Sequence, residues 1–163
     1  MTILRALAAL LATWGAHGGA SAQVAAPAPA QDQTIVRAGS QTPSQGPEPY
    51  FTGKVRVDPV FAASADVPYG TAFVTFEPGA RSAWHAHPAG QRLVVTAGVG
   101  RTGVWGGPVV EIKVGDAVWC PPGVKHWHGA APGSVMTHLA LTGQKDGQSV
   151  VWMEKVTDAQ YGQ

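Results

Sequence analysis

The chain has 163 residues, enough for one domain with a core of its own and too few for two ordinary ones. Apolar residues make up 45% and charged ones 13%, and eleven basic against ten acidic side chains leave a net charge of +1. With no basic cluster anywhere, a nucleic-acid or anionic-membrane partner has no electrostatic support. The one cysteine, Cys120, excludes an internal disulfide and reads as a small buried hydrophobe between Trp119 and Pro121.

Residues 1–22 read as a secretory signal peptide. Arg5 supplies the positive start, Ala6 to Ala12 the apolar run, and Ala20-Ser21-Ala22 the small-residue cleavage pattern. The run is too short to span a bilayer. Gln23, not a cysteine, follows the cleavage pattern, which argues against a lipid anchor. The expectation is an exported protein, periplasmic or secreted, with no membrane attachment after cleavage, and His17 inside this segment is discounted as a ligand. Residues 23–36 form an Ala/Pro-rich linker, and residues 37–163 the folded domain, entered through an extended arm from Arg37 to Tyr50.

From Phe51 onward, short β-rich runs alternate with turn residues. The predicted strands are Gly53–Phe61, Thr71–Phe76, Gln91–Ala97, Gly100–Trp105, Val109–Lys113, Asp116–Cys120, Lys125–His128, Val135–Leu141 and Val150–Val156. Gly79, Gly106-Gly107, Gly115, Pro121-Pro122-Gly123 and Pro132-Gly133 punctuate them. Glycine (21) and proline (13) are plentiful and no helical periodicity intervenes, so an all-β sandwich or barrel is predicted. Residues 157–163 can form a terminal turn of helix.

Five histidines fall in this domain: His85, His87, His126, His128 and His138. The first four make two pairs with i, i+2 spacing, and along a strand such residues project from one face. Two pairs from separate strands can converge inside a barrel on one divalent transition metal. A lone strand histidine is usually an ordinary hydrogen-bonded residue; two pairs in phase, each preceded by a glycine turn, point to metal.

These residues resemble the two motifs of the cupin superfamily. The first runs from Gly79 through five residues to His85-Ala86-His87, then Gln91, then Gly98. The second runs from Gly115 through Pro121-Pro122-Gly123 to His126. The resemblance covers about Phe51 to Val156 and implies a single-domain double-stranded β-helix, the jelly-roll barrel. Two positions depart from the pattern: the usual glutamate is Gln91, and the asparagine often found after the second motif is Ala130. A neutral amide beside three neutral imidazoles leaves a divalent ion its full charge, which favours Lewis-acid chemistry over oxygen activation.

The stretches Glu77 to Arg92, Lys125 to Leu141 and Val151 to Tyr161 are similar to small bacterial manganese cupins with hydroxynitrile lyase activity. That resemblance implies His85, His87, Gln91 and His126 as metal ligands and Mn²⁺ as the ion, with Fe²⁺ or another divalent transition metal as substitutes. It implies His128 and His138 as acid–base residues and Ala72, Val74 and Thr142 as cavity wall. The substrates implied are an aromatic cyanohydrin, or an aldehyde plus cyanide, and the assembly a homodimer or homotetramer. Strand alternation independently puts His128 on the face of His126, and Met136, His138, Ala140 and Thr142 on one face. His138 can alternatively serve only to hydrogen-bond a ligand imidazole. Trp84, Trp119 and Trp127 alternate with the metal face and read as core or interface packing residues, not substrate platforms. Asp116 reads as a turn residue, and Arg81 with Glu77 as a surface pair. The rival functions are an Fe(II)-dependent cupin dioxygenase and a non-catalytic exported cupin that binds a small ligand or metal.

Overall fold

The computed structural model describes residues 32–162. The expected signal peptide, most of the linker and His17 lie outside these residues. The compact unit begins at Thr34, and no helix among the described residues is long and apolar enough to cross a membrane.

Twelve strands and one short α-helix follow in chain order among the described residues. They are β1 (Ser44–Gln45), β2 (Phe51–Thr52), β3 (Val55–Phe61), β4 (Tyr69–Phe76), β5 (Arg81–Ser82) and β6 (His85–Ala86). The rest are β7 (Gln91–Val104), β8 (Val109–Lys113), β9 (Ala117–Cys120), β10 (His126–Ala130), β11 (Met136–Gly143), β12 (Val151–Trp152) and α1 (Asp158–Tyr161). Each predicted run has a strand: Val109–Lys113 keeps its bounds, Val150–Val156 shrinks to Val151–Trp152, and the others shift at their ends. The short pieces β1, β2, β5 and β6 were not separable from loops by composition, because two residues give no period to read.

All the named pairings are antiparallel, and β7 joins the two faces of the curled sheet. Its first half pairs with β11 and β9, its second half with β10 and β8. The sequence predicts two strands here, Gln91–Ala97 and Gly100–Trp105. The structure keeps it continuous, with Gly98 at φ 71°. A Cβ there would lie 1.7 Å from the Val135 carbonyl oxygen, so only glycine fits between β7 and the turn before β11.

One apolar cluster, with Phe51, Val55, Phe76, Val95, Ile112 and Met136, fills the interior. Each of its fully buried large side chains contributes about 1.5–3 kcal/mol on leaving water. A second cluster joins Trp84, Trp127, Val156 and Tyr161 on the other side of β10, where α1 docks. Thr157 and Gln160 cap that helix reciprocally, and Gly162 ends it at φ 84°.

Three packing expectations meet the structure differently. Trp84 and Trp127 are buried in the core, and Trp119 lies outside it, 48% exposed with the Arg92 guanidinium over its ring at 4.5 Å. Arg81 is not a surface partner of Glu77. Its side chain is buried, donating to the Val156 carbonyl at 3.1 and 3.2 Å and pairing with Asp158 at 2.5 Å, because β5 lies under the C-terminal segment. Asp116 does serve its turn, accepting from the Lys113 amide at 2.8 Å.

Candidate metal centre

Strand register brings the histidines together. His126 on β10 sits directly opposite His85 on β6. On β11, His138 lies opposite Val74 of β4 and Val95 of β7, and Thr142 opposite Gln91. Alternation along β11 holds as read: Met136, His138 and Ala140 are buried, and the residues between them less so. Ligating atoms of His85, His126 and His128 lie within 4.8 Å of one another. The His87 ring centroid is 5.0 Å from that of His85 and 5.4 Å from that of His126.

Each of three imidazoles is held by a backbone carbonyl. His85 Nδ1 faces Ala83 O at 2.9 Å, His87 Nδ1 faces Ser149 O at 2.6 Å, and His126 Nδ1 faces Val124 O at 2.8 Å. A carbonyl oxygen can only accept, so each Nδ1 carries the hydrogen and each Nε2 keeps its lone pair. Gln91 follows the same logic: its Nε2 donates to Thr142 Oγ1 at 2.9 Å, which leaves Oε1 free. His128 differs, its Nδ1 meeting His138 Nε2 at 3.2 Å.

Five buried side-chain polar atoms are without a hydrogen-bond partner among the described residues: His87 Nε2, Gln91 Oε1, His126 Nε2, His128 Nε2 and His138 Nδ1. An unpaired buried polar atom costs about 1–3 kcal/mol. All five belong to this one cluster, and three of them, His87 Nε2, His126 Nε2 and Gln91 Oε1, are lone pairs whose chemistry fits a divalent metal ion. Burial favours the neutral imidazole throughout. It lowers His85 and His128 well below the ordinary range, and the neighbouring imidazoles add to the effect. Burial likewise takes His126 and His138 down to about 4. His87 is lowered by burial less fully, because the Ser149 carbonyl and Gln91 oppose it. Neutral rings with free lone pairs are the form that binds metal.

A cavity of about 220 Å³ opens onto the cluster, with His85, His87, Gln91, His128 and His138 on its polar side. The expected wall positions Ala72, Val74 and Thr142 all line it. Phe51 and Trp152 line it too, and the sequence reading had not placed them there. Trp152 arrives through the pairing of β12 with β6, which sets it opposite His85 with ring centroids 4.9 Å apart. Its only sequence signal was an aromatic residue in a strand-like run. Cys120 lies outside this cavity, and burial pushes its thiol up to about 11, so it stays protonated and unreactive.

Residues 72–141 match the family model described as Cupin domain. A protein of Granulicella tundricola named (R)-mandelonitrile lyase is 58% identical over 127 residues, 78% of this chain and 97% of that protein. The chain is a member of the cupin family. Among solved structures, this cupin is similar to a cupin-like protein of Thermotoga maritima, with a TM-score of 0.69 and 38% identity over 79% of this chain and 95% of that one. A cupin-2 domain protein of Rhodospirillum rubrum shares the fold at 18% identity, with a TM-score of 0.58 over 79% of this chain and 84% of that one. The fold is therefore the all-β, single-domain cupin barrel that the two motifs implied. Of the two departures from the motifs, Gln91 points its amide into the cluster, whereas Ala130 is a fully buried core residue of β10.

Proposed function

We propose that this cupin is a metal-dependent carbon–carbon lyase that cleaves and forms aromatic cyanohydrins. His85, His87, Gln91 and His126 hold a divalent ion, Mn²⁺ first among the candidates. The observation that carries this reading is the set of unpartnered lone pairs on His87 Nε2, His126 Nε2 and Gln91 Oε1, beside a small cavity walled by Phe51 and Trp152. The 58% identity to a protein named (R)-mandelonitrile lyase supports the substrate class. The ion, when bound, supplies Lewis acidity that lowers the pKa of a hydroxyl and polarises a carbonyl.

The protein's own part is proton handling. In the tautomer this reading requires, His128 Nδ1–H donates to His138 Nε2 across their 3.2 Å contact, which leaves the unpartnered His128 Nε2 as a lone pair. In cleavage, His128 Nε2 takes the proton of the cyanohydrin hydroxyl. The C–CN bond breaks, its electron pair leaves with cyanide, and the oxygen lone pair forms the aldehyde carbonyl. The His128 imidazolium then returns its proton to cyanide, giving hydrogen cyanide. Burial makes that imidazolium costly, so the proton passes on readily. His138 shares the developing charge through its hydrogen bond, and Phe51, Trp152 and Val74 exclude water around the aryl group.

The test is turnover of mandelonitrile by metal-reconstituted protein, with His128→Ala beside it. Aldehyde release that disappears in the variant at unchanged metal content supports the reading. Oxygen consumption with phenolic or diketone substrates, and no cyanohydrin cleavage, would replace it with the dioxygenase. Export and a homodimer or homotetramer belong to the same proposal, resting on the leader-like residues 1–22 and on the family resemblance. The mass of the mature N-terminus and light scattering test them.

A further inference from the structure

The site cavity does not end at its small-residue wall. A second cavity of about 260 Å³ lies outside it and shares Ala72, Ala140, Thr142 and Ser149 with it. These are among the smallest side chains a strand can carry. Ala140 pairs directly with Ala72, and Thr142 with Gly70, so the stretch of β4 and β11 that lines both cavities carries only small side chains. Pockets that enclose drug-sized ligands run from about 300 to 1,000 Å³. The inner cavity at about 220 Å³ falls short of that range, while the two joined fall within it.

The outer cavity has its own aromatic wall. Phe61 ends β3, is 48% exposed and lines this cavity but not the inner one. The register between β3 and β4 slips between Pro59 and Phe61, and the Phe61 amide donates to Thr71 Oγ1 at 3.1 Å. A bulge of this kind re-aims a side chain, and Phe61, at this bulge, is the aromatic residue that lines the outer cavity.

Resting on the lyase reading, we infer that the preferred substrates are two-ring aromatic aldehydes and their cyanohydrins. The ring bearing the reacting carbon sits between Phe51 and Trp152, and a second ring, joined by a short link, runs along the small side chains of Ala72 and Ala140 that line both cavities and covers Phe61. Single-ring substrates fill only the inner cavity. Aromatic contact of this kind strengthens binding on the order of tenfold.

The experiment uses the metal-loaded full protein and two probes, benzaldehyde and 3-phenoxybenzaldehyde. Their binding without cyanide is measured by titration calorimetry, and kcat/KM is measured for the two cyanohydrins. The variants are Phe61→Ala, which removes the platform, and Gly70→Leu, which fills the outer cavity. A Cβ at Gly70 meets its nearest neighbours only at 3.5 and 3.6 Å, so the backbone accepts a side chain there. Wild-type protein is expected to bind the two-ring aldehyde roughly tenfold more tightly. Both variants should lose most of that preference and keep single-ring binding, which also reports intact folding. Equal affinity for both probes in the wild type, or a preference that survives both variants, overturns the inference. Should the binding preference behave as expected while neither cyanohydrin is cleaved, the lyase reading falls and the two-cavity inference stands.

Discussion

His126 and His128 are two residues apart on β10, on the same face, and both are buried, yet their second nitrogens are held differently. His126 Nδ1 is fixed by the Val124 carbonyl, as His85 is by Ala83 and His87 by Ser149. His128 Nδ1 meets another imidazole, His138 Nε2. A carbonyl fixes one tautomer, whereas a second imidazole can accept or donate and so permits the proton to change sides. The carbonyl-anchored wall suits a structural task, presenting lone pairs to an ion, and the paired wall suits moving a proton.

The largest expected effect comes from exchanging the two walls' fates by mutation. His126→Ala should abolish both metal binding and turnover, read by elemental analysis and aldehyde release. His128→Ala should keep its metal and lose roughly 10²–10⁴-fold in kcat. Loss of metal from both variants would make His128 a ligand and erase the distinction.

Next in size is Thr142, which holds the Gln91 amide so that Oε1 faces the cluster. Thr142→Val keeps the shape and removes that acceptor, so metal affinity should fall about 10–100-fold in a competition titration with a chelator. Unchanged affinity would show that Gln91 needs no such support.

Acid sharpens the comparison. Burial holds His126 and His138 at about 4 in the folded chain against an ordinary 6.5. Between those values the unfolded chain binds the extra protons, so metal-free protein should lose stability as pH falls from 6.5 towards 4. The slope is about 1.4 kcal/mol per pH unit for each such group, followed by denaturant unfolding. Metal should raise stability at pH 7, and its increment should vanish as protons compete for Nε2. A flat profile would mean these rings are not desolvated.

The smallest effect belongs far from the site. Asp158, 76% exposed, pairs with buried Arg81, and Asp158→Asn should cost no more than about 1 kcal/mol in unfolding, with metal content unchanged.

Much of this site was legible from spacing. The i, i+2 histidine pairs, the glycines around them and the alternation along β11 put His85, His126, His128 and His138 on inward faces, where the structure has them. The cavity positions Ala72, Val74 and Thr142 came from resemblance and also line the cavity. Long-range pairing was not legible. Trp152 reaches the cavity only because β12 pairs with β6, and Arg81 is buried only because the chain's end folds over β5. The carbonyl anchors were equally hidden, since Ala83, Val124 and Ser149 contribute main-chain atoms that carry no side-chain signature.

The central claim is that the carbonyl-anchored imidazoles and the Gln91 amide, not the His128–His138 pair, grip the ion. Crystals of the Mn²⁺-loaded protein, read by anomalous scattering at the manganese edge, test it most directly. One peak bound directly by His85, His87 and His126 Nε2 and Gln91 Oε1 is the expected result. A peak bound by His128 in place of His87 and Gln91, or lying away from the cluster, would contradict it.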